Sequence, residues 1–461
     1  MQIRWGHFAI FVILASLDNA AAGILPPLYA IISRELNASE TSLGIVTAVY
    51  VIIIAISSIA WGYQGDRFSR KPLLLAGTAV WTAAMIATSF STTFSTFLLF
   101  QSITAVGVGA VSSIGFSVVS DVVPAHRRGF ALSLWSISQG LGAAFGALLA
   151  STSGAFDWRS PFLIVAGLGL FFGVLYTFIP EPKRGAAEPE LRPLFEAGLN
   201  YTNRIDRQAI KQILTQASTR WLLIQAFFYS FAFGASVWIP RWAIARVEAQ
   251  GFDLESATVI GNGIVLLFSI GSVASIYAGH LGDQLEKRYA KGRPYMAMIG
   301  SMASAPFFII LFFMPLQGVT PPDTFTLASS LIWIIESFLQ NPLLIVAFFL
   351  ATVGNILLAA DLPNWAAMIT NLNLPEHRGT AIGISRLFRA AGNALGIATA
   401  GFLFSWLQNI YSETDAFAVG LAVFQGVTIV SAGCYWFIQN TIRDDSIQIT
   451  KFLKAHAQNQ L

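Results

Sequence analysis

The chain is poor in charge and nearly without cysteine. Of its 461 residues only 11% are charged, less than half of the quarter usual in soluble proteins, which excludes a set of ordinary soluble domains. A single cysteine, Cys434, excludes an internal disulfide and carries no redox or metal signal. The 5 histidines form no ligand-spaced pair, and no phosphate-binding glycine loop or nucleophile triad is present. An enzyme, a metal site and a cofactor are therefore not expected. A net charge of +3 gives no reason to expect a nucleic-acid partner.

Apolar residues make up 55% of the chain. They come in blocks of about 20, the length at which a helix crosses a bilayer core. Backbone groups find no water in lipid, so such blocks must be helical. The first block begins after Arg4 but is too long for a signal peptide and contains Asp18. Twelve spans are expected, at about 7–33, 41–63, 72–91, 94–120, 129–152 and 158–180, then about 219–246, 257–281, 295–315, 342–371, 379–405 and 416–439. The implied organisation is an N-terminal six-helix bundle (1–180), a cytoplasmic linker with an amphipathic helix near 203–217 (181–218), a second six-helix bundle (219–440) and a cytoplasmic tail (441–461). The segment 316–341 is expected to be an outer loop with its own short helix. Of the 27 Lys and Arg, Arg386 and Arg389 fall inside a span, and only Arg34, Arg159, Arg241 and Arg246 face the outer side. The positive-inside rule then puts both termini in the cytoplasm. A plasma (inner) membrane location and a monomer are expected.

An internal repeat runs through this plan. GYQGDRFSRK at 62–71 matches GHLGDQLEKR at 279–288, pairing Gly62, Gly65 and Asp66 with Gly279, Gly282 and Asp283 at one offset. PAHRRG at 124–129 matches PEHRG at 375–379, and Gly142 and Gly146 match Gly392 and Gly396 at a second offset. Two related halves around a central site are the plan of a transporter. The four glycines have small-xxx-small spacing, which lets helices pack closely. Arg67, Arg70 and Lys71 serve as topology anchors or as part of a switch, but acids contribute little to topology, so Asp66 needs another reason.

These residues resemble the major facilitator superfamily. Its loop signature, Gly-x-x-x-Asp-Arg-x-Gly-Arg-Arg/Lys, is met by Gly62, Asp66, Arg67, Arg70 and Lys71, with Ser69 in place of its second glycine. The resemblance implies an all-α membrane protein of twelve transmembrane helices in two pseudo-symmetric six-helix bundles. It also implies that the cluster is a conformational latch on the cytoplasmic side, with a weaker copy at Gly279 and Asp283. Within the superfamily, GDRFSRKPLLLAG, SDVVPAHRRG and DWRSPFLIVAG look most like spinster-type transporters, some of which export lysolipids and sphingolipids. Ile103 and Ala110 stand where such chains usually carry Arg and Glu, and Asp18-Asn19 where they carry Asp-Arg.

Charges inside a span need a reason, at about 2.5–3.5 kcal/mol each on insertion scales. Asp18, with Asn19, lies near the middle of the first span, where it serves coupling or substrate contact, or is satisfied by polar neighbours. Asp361, Asn364, Trp365 and Met368 share one helical face, as do Arg386, Arg389 and Asn393. An ion pair of Asp361 with Arg386 or Arg389 is expected, either permanent or opening to bind an anionic headgroup. Gln101, Gln225, Tyr229 and Asn262 line a cavity or bond between helices, and Trp238 and Trp365 are expected to give that cavity aromatic walls. Arg241 is expected to snorkel to the surface. Trp5, Trp158, Trp406 and Trp436 are expected at the interface. The function that follows is gradient-driven or facilitated transport of an amphiphilic or organic anionic small molecule by alternating access, with a lysolipid as one case and proton coupling left open. The alternatives are a proton-coupled transporter of a polar solute or drug, and a non-transporting sensor with a transporter fold.

Overall fold

A computed structural model of the chain describes residues 5–115, 118, 125–180, 213–269, 271, 275–289, 291–318, 336, 340–373 and 378–460. All regular structure among the described residues is helical, as required where backbone groups must satisfy one another. Among the described residues, ten helical segments are long and apolar enough to cross a membrane. The remaining two expected spans, 129–152 and 257–281, include residues or side chains outside this description. So do most of the linker and its amphipathic helix, and most of 316–341.

The chain divides into two compact units. The first comprises Met1–Asn203, Asp253–Gly263 and Asp323–Ser330, and the second comprises Arg204–Phe252, Ile264–Pro322 and Leu331–Leu461. In the first unit the helices are α1 (Trp5–Ile24), α2 (Tyr29–Glu35), α3 (Glu40–Arg67), α4 (Arg70–Ser89), α5 (Phe94–Ala110), α6 (Ala125–Ser151) and α7 (Ser160–Thr177). The 3-10 turn Pro26–Leu28 breaks the first span between α1 and α2; a proline near a helix start costs nothing there, since its missing N–H has no partner to lose. Then come α8 (Ala217–Gly234), α9 (Ile239–Glu248), α10 (Leu254–Phe268), α11 (Ser275–Arg288), α12 (Gly292–Phe313), α13 (Pro342–Leu358), α14 (Asp361–Asn371), α15 (Arg378–Leu407) and α16 (Glu413–Gln460). The seventh span is broken like the first, by the 3-10 turn Ala235–Trp238.

The repeat is visible in the packing of each unit. A Cβ on Gly142 of α6 would overlap the Ser16 carbonyl of α1, one on Gly146 the Ala20 carbonyl, and one on Gly23 of α1 the Ala143 carbonyl. In the second unit Gly392 and Gly396 of α15 meet the Phe227 and Phe231 carbonyls of α8, and Gly234 of α8 meets the Asn393 carbonyl. Ser16, Ala20 and Gly23 stand at one common offset from Phe227, Phe231 and Gly234, and the partners stand at another. Each unit thus brings two helices into backbone contact through the same triplet.

One expectation changes. The cluster at 62–71 is not a loop: α3 runs through Arg67, and only Phe68 and Ser69 separate it from α4. In the segment 441–461, α16 continues without a break to Gln460. Its Asp445 carboxylate accepts a hydrogen bond from the Ser218 N–H at 2.8 Å, in the first turn of α8, where unpaired N–H groups and the helix dipole favour an anion.

Because the glycine contacts leave no room for a side chain, Gly146→Leu should destabilise the protein by about 1–3 kcal/mol. Its pseudo-symmetric counterpart Gly396→Leu should cost a similar amount. Thermal unfolding in detergent checks both, and an unchanged melting temperature would contradict this packing.

Candidate functional site

The polar residues buried within the spans form two groups, one in each unit. In the first, Asp18 on α1 is 1% exposed. Its Oδ1 accepts from the Asn19 backbone N–H at 2.7 Å and from Asn19 Nδ2 at 2.8 Å, while its Oδ2 has no partner among the described residues. Asn19 Nδ2 also donates to Gln139 Oε1 on α6. Gln101 is buried and donates to Thr88 Oγ1 at 3.3 Å, joining α5 to α4. Asn262 makes a long contact, 3.5 Å, to the Pro27 carbonyl.

In the second unit Asp361 opens α14 and is fully buried. Its Oδ2 accepts from Gln225 Nε2 at 2.9 Å, Tyr435 OH at 3.0 Å and Ser301 Oγ at 3.2 Å. These donors come from α8, α16 and α12, so three helices hold one carboxylate oxygen with neutral groups. The expected ion pair with Arg386 or Arg389 is not formed: no Lys or Arg nitrogen among the described residues lies within salt-bridge distance of Asp361. Arg386 is exposed. Arg389, a turn further along α15, packs its guanidinium over the Trp365 ring at 4.1 Å and beside Tyr229 at 5.7 Å. A cation on an aromatic face gains about 1–2 kcal/mol when partly desolvated. Arg389 Nε and Nη2 have no hydrogen-bond partner among the described residues. The arginine is held by ring faces, leaving its donors unspent.

Tyr229 connects this arginine to a cavity of about 370 Å³ inside the second unit. Its walls are largely apolar, with Phe233, Phe268, Phe308, Phe312 and Phe424 among them, and Asn355 and Gln425 as polar points. Trp238 and Trp365 do not line it. Both are buried, and their indole N–H groups donate to the Ile397 and Leu222 carbonyls. The cavity phenylalanines are scattered over α8, α10, α12 and α16, so no local pattern in the sequence groups them.

Arg241 does not snorkel to the surface. It is 4% exposed, bonds Glu248 at 3.0 Å and Glu413, and lies over Phe417. Two nearby acids make burial cheaper than a reach to the interface. Trp158 is likewise not an interface residue: it is 1% exposed and donates to Glu35 at 2.6 Å. Trp406 and Trp436 are exposed.

At the latch, the side chains of Asp66, Arg67 and Asp283 lie outside the described residues. Gly62 packs towards Ser113 and Gly65 towards Ile114. Arg70 is buried, and Lys71 Nζ donates to the Thr177 carbonyl at 2.6 Å, tying α4 to the C-terminal end of α7, where a cation is favoured. In the second copy Gly282 makes room for the Asn364 amide. There Arg293 bonds Glu286 at 2.5 Å and reaches Asn364 Oδ1 at 3.5 Å. Glu286 and Arg293 were not singled out in the sequence, although the i, i+7 spacing of opposite charges across a helix break was available. His377 and His126 lie outside the described residues or side chains. Among the described residues, no group of three or more His, Cys, Asp or Glu is placed to hold a metal.

The sequence matches the model of the Major Facilitator Superfamily over residues 9–333. It is 28% identical to Protein spinster homolog 1 of Xenopus laevis over 304 residues, 63% of this chain and 55% of that protein. It is 22% identical to Sphingosine-1-phosphate transporter SPNS2 of Danio rerio over 432 residues, 89% of this chain and 79% of that one. The chain spans between 45% and 60% of the length of the four spinster-named relatives. Among solved structures, a bacterial homolog to the human lysosomal transporter spinster, inward-facing and unoccupied, superposes with a TM-score of 0.72 at 16% identity, covering 96% of this chain and 98% of that one. A D-xylose-proton symporter does so with a TM-score of 0.67, also at 16%, covering 94% and 98%. At these identities the structures establish the fold alone, and it is the family match that points to a transporter fold and not a catalytic enzyme. The expected plasma-membrane location is corrected by the same findings. The integral, multi-pass character stands, while the human transporter to which that bacterial structure is a homolog is lysosomal and not of the plasma membrane.

If ring faces hold Arg389, stability should fall in the order wild type, Trp365→Phe, Trp365→Leu. The first change removes the indole hydrogen bond, worth about 1 kcal/mol, and the second removes the face as well, for a further ~1–2 kcal/mol. Thermal melts rank the three, and equal melting temperatures would contradict the arrangement.

Proposed function

The chain belongs to the Major Facilitator Superfamily, and on that premise we propose that it is a spinster-like secondary transporter that moves an amphiphilic anion by alternating access. The observation that carries the substrate class is the pairing, within one unit, of a phenylalanine-lined cavity with an arginine whose donors are uncommitted. Apolar walls gain by taking up a hydrocarbon chain. A guanidinium supplies a planar fork for a phosphate or carboxylate. A lysolipid has both parts, and the name of the zebrafish relative, a sphingosine-1-phosphate transporter, speaks for the same chemistry.

The full reading has twelve spans in two pseudo-symmetric six-helix bundles, 1–180 and 219–440, joined by a cytoplasmic linker at 181–218 and followed by the helical segment 441–461. The twin glycine triplets support two equivalent halves. Both termini lie in the cytoplasm, and the protein works as a monomer in the bilayer. Gly62, Gly65, Asp66, Arg67, Arg70 and Lys71, with Gly279 and Asp283, form the latch; the Lys71 bond to the end of α7 fits that role. Gly142, Gly146, Gly392 and Gly396 are packing surfaces. Asp18, Asn19 and Gln139 are the polar group of the first half, and they stand at the repeat positions of Tyr229, Ser230 and Arg389. Each half thus places its polar group at the same point of the same helix pair, and protons are one candidate for coupling there. Gln101 and Asn262 are structural in this reading, and Arg386 is not part of the binding site.

An anionic lysophospholipid should raise the melting temperature of the detergent-purified protein by binding the folded state. Arg389→Gln should weaken that effect about tenfold or more, the worth of a hydrogen bond to a charged group, and Arg386→Ala should leave it unchanged. Stabilisation by sugars and not by any anionic amphiphile would refute the assigned substrate class.

A further inference from the structure

The cavity in the second unit has two unlike ends. At one, Tyr229 and Phe233 stack with their ring centroids 6.3 Å apart, and Phe233 is exposed. Tyr229 joins this end to Arg389, so it is the mouth. The other end is walled by Pro240 of α9, Leu421 of α16, and Leu311 and Phe312 of α12. Here the side chains are fixed. Phe312 is buried and stacks on Phe308, one turn back on α12, at 6.2 Å. A Cβ on Gly354 of α13 would come within 3.1 Å of the Phe308 ring, so that ring is closely seated as well. Trp242, which does not line the cavity, is buried and stands edge-on to Phe312 at 5.6 Å.

The backbone of Phe312 is held as firmly as its ring. Its carbonyl lies in the last turn of α12, where helix carbonyls have no partner within the helix. Trp242 Nε1 and Arg246 Nη2, both from α9, donate to it at 3.0 Å each. Gln250 Nε2 adds a bond to the Leu316 carbonyl at 2.8 Å. The half of the seventh span beyond its 3-10 turn is thus strapped to the end of α12. Such a strap would satisfy a helix end in any protein. What sets this one apart is that the ring it fixes closes a cavity.

The depth of the cavity follows from its lining. Along α16 that lining runs from Leu421 to Thr428, about 10 Å at the helical rise. Along α8 and its 3-10 continuation it runs from Tyr229 to Ile239, about 15 Å. An extended chain advances about 1.2 Å per backbone bond, so about eight to twelve carbons reach from the mouth to Phe312. We propose that Phe312 is the floor of a chain-measuring pocket and sets the longest hydrocarbon tail that the second unit takes up whole. The tail enters beside Tyr229, the anionic headgroup stays at Arg389, and the methyl end stops on the Phe312 ring. A longer tail leaves its surplus outside the cavity, because the strap prevents Phe312 from yielding. The headgroup's place rests on the amphiphilic-anion reading above; the floor does not.

The test titrates the full-length detergent-purified protein with saturated lysophosphatidates from hexanoyl to stearoyl, and with monoacylglycerols of the same lengths, which lack the anion. Binding is read as a rise in melting temperature. Each length is compared between wild type and variant, so partition into the detergent cancels. In the wild type, affinity should rise by up to about fourfold per methylene and stop rising at about eight to twelve carbons. Phe312→Ala should move that break about three carbons longer and leave the shorter chains unchanged. Phe312→Leu should move it less, and it keeps the test available if the alanine variant fails to fold. Phe424→Leu alters a side wall and should weaken binding without moving the break. Affinity that climbs through stearoyl, a break that ignores both Phe312 variants, or one that Phe424→Leu moves equally, overturns the floor. A break that follows Phe312 in both series, with lysophosphatidates no tighter than monoacylglycerols, supports the floor and overturns the anion reading instead. Lysophosphatidates that bind tighter, but without a break that follows Phe312, do the reverse.

Discussion

A charge inside a bilayer must be held by the protein, and in the second unit that constraint shapes everything near it. Asp361 draws one donor from each of three helices, so the position of α14 is fixed relative to α8, α12 and α16. One turn later Trp365 bonds the Leu222 carbonyl of α8 and offers its face to Arg389. The two charges are thus separated by design of the helix face: the acid is satisfied by neutral donors and the base by rings. Had they formed a direct ion pair, each would have neutralised the other and left nothing for a ligand. Their separation leaves Arg389 Nε and Nη2 without a hydrogen-bond partner among the described residues, with Tyr229 between the guanidinium and the phenylalanine-lined cavity.

The same constraint explains why glycine, not leucine, decides the helix contacts. Lipid tails are as apolar as any side chain, so helices gain little by burying apolar surface against one another and gain instead by close approach. The triplets Gly23, Gly142, Gly146 and Gly234, Gly392, Gly396 bring backbones together at equivalent points of the two units. A surface without side-chain knobs is also one that can shift without unlocking interdigitated rotamers, which suits a protein that must change conformation while staying folded.

Much of the architecture was legible in the sequence because bilayer helices leave a length signal, and because the repeat is written in glycines and in the Gly62 and Gly279 motifs. The spacing of Asp361 and Trp365 put both on one face, which is buried, whereas Arg386 and Arg389, grouped by the same reasoning, part company, Arg386 being exposed. What spacing does not carry is the partner across the gap. It paired Asp361 with an arginine since opposite charges at similar depth attract, yet Tyr435, Ser301 and Gln225 stand closer, and none is distinctive in its own stretch. The errors at Arg241 and Trp158 have the same origin. Both sit near span ends, where exposure is the usual outcome, and in both a distant acid, Glu413 or Glu35, draws the side chain inward. The cavity was invisible because five phenylalanines on four helices become a wall only after folding.

Under the proposed function the chain carries an amphiphilic anion across a membrane and does not merely bind one. The most direct measurement is uptake of a labelled anionic lysophospholipid into sealed proteoliposomes containing the purified protein. Saturable movement to the far leaflet, lost in Arg389→Gln and insensitive to competing neutral sugars, is the predicted result. Binding without movement, or movement of sugars alone, would contradict the account.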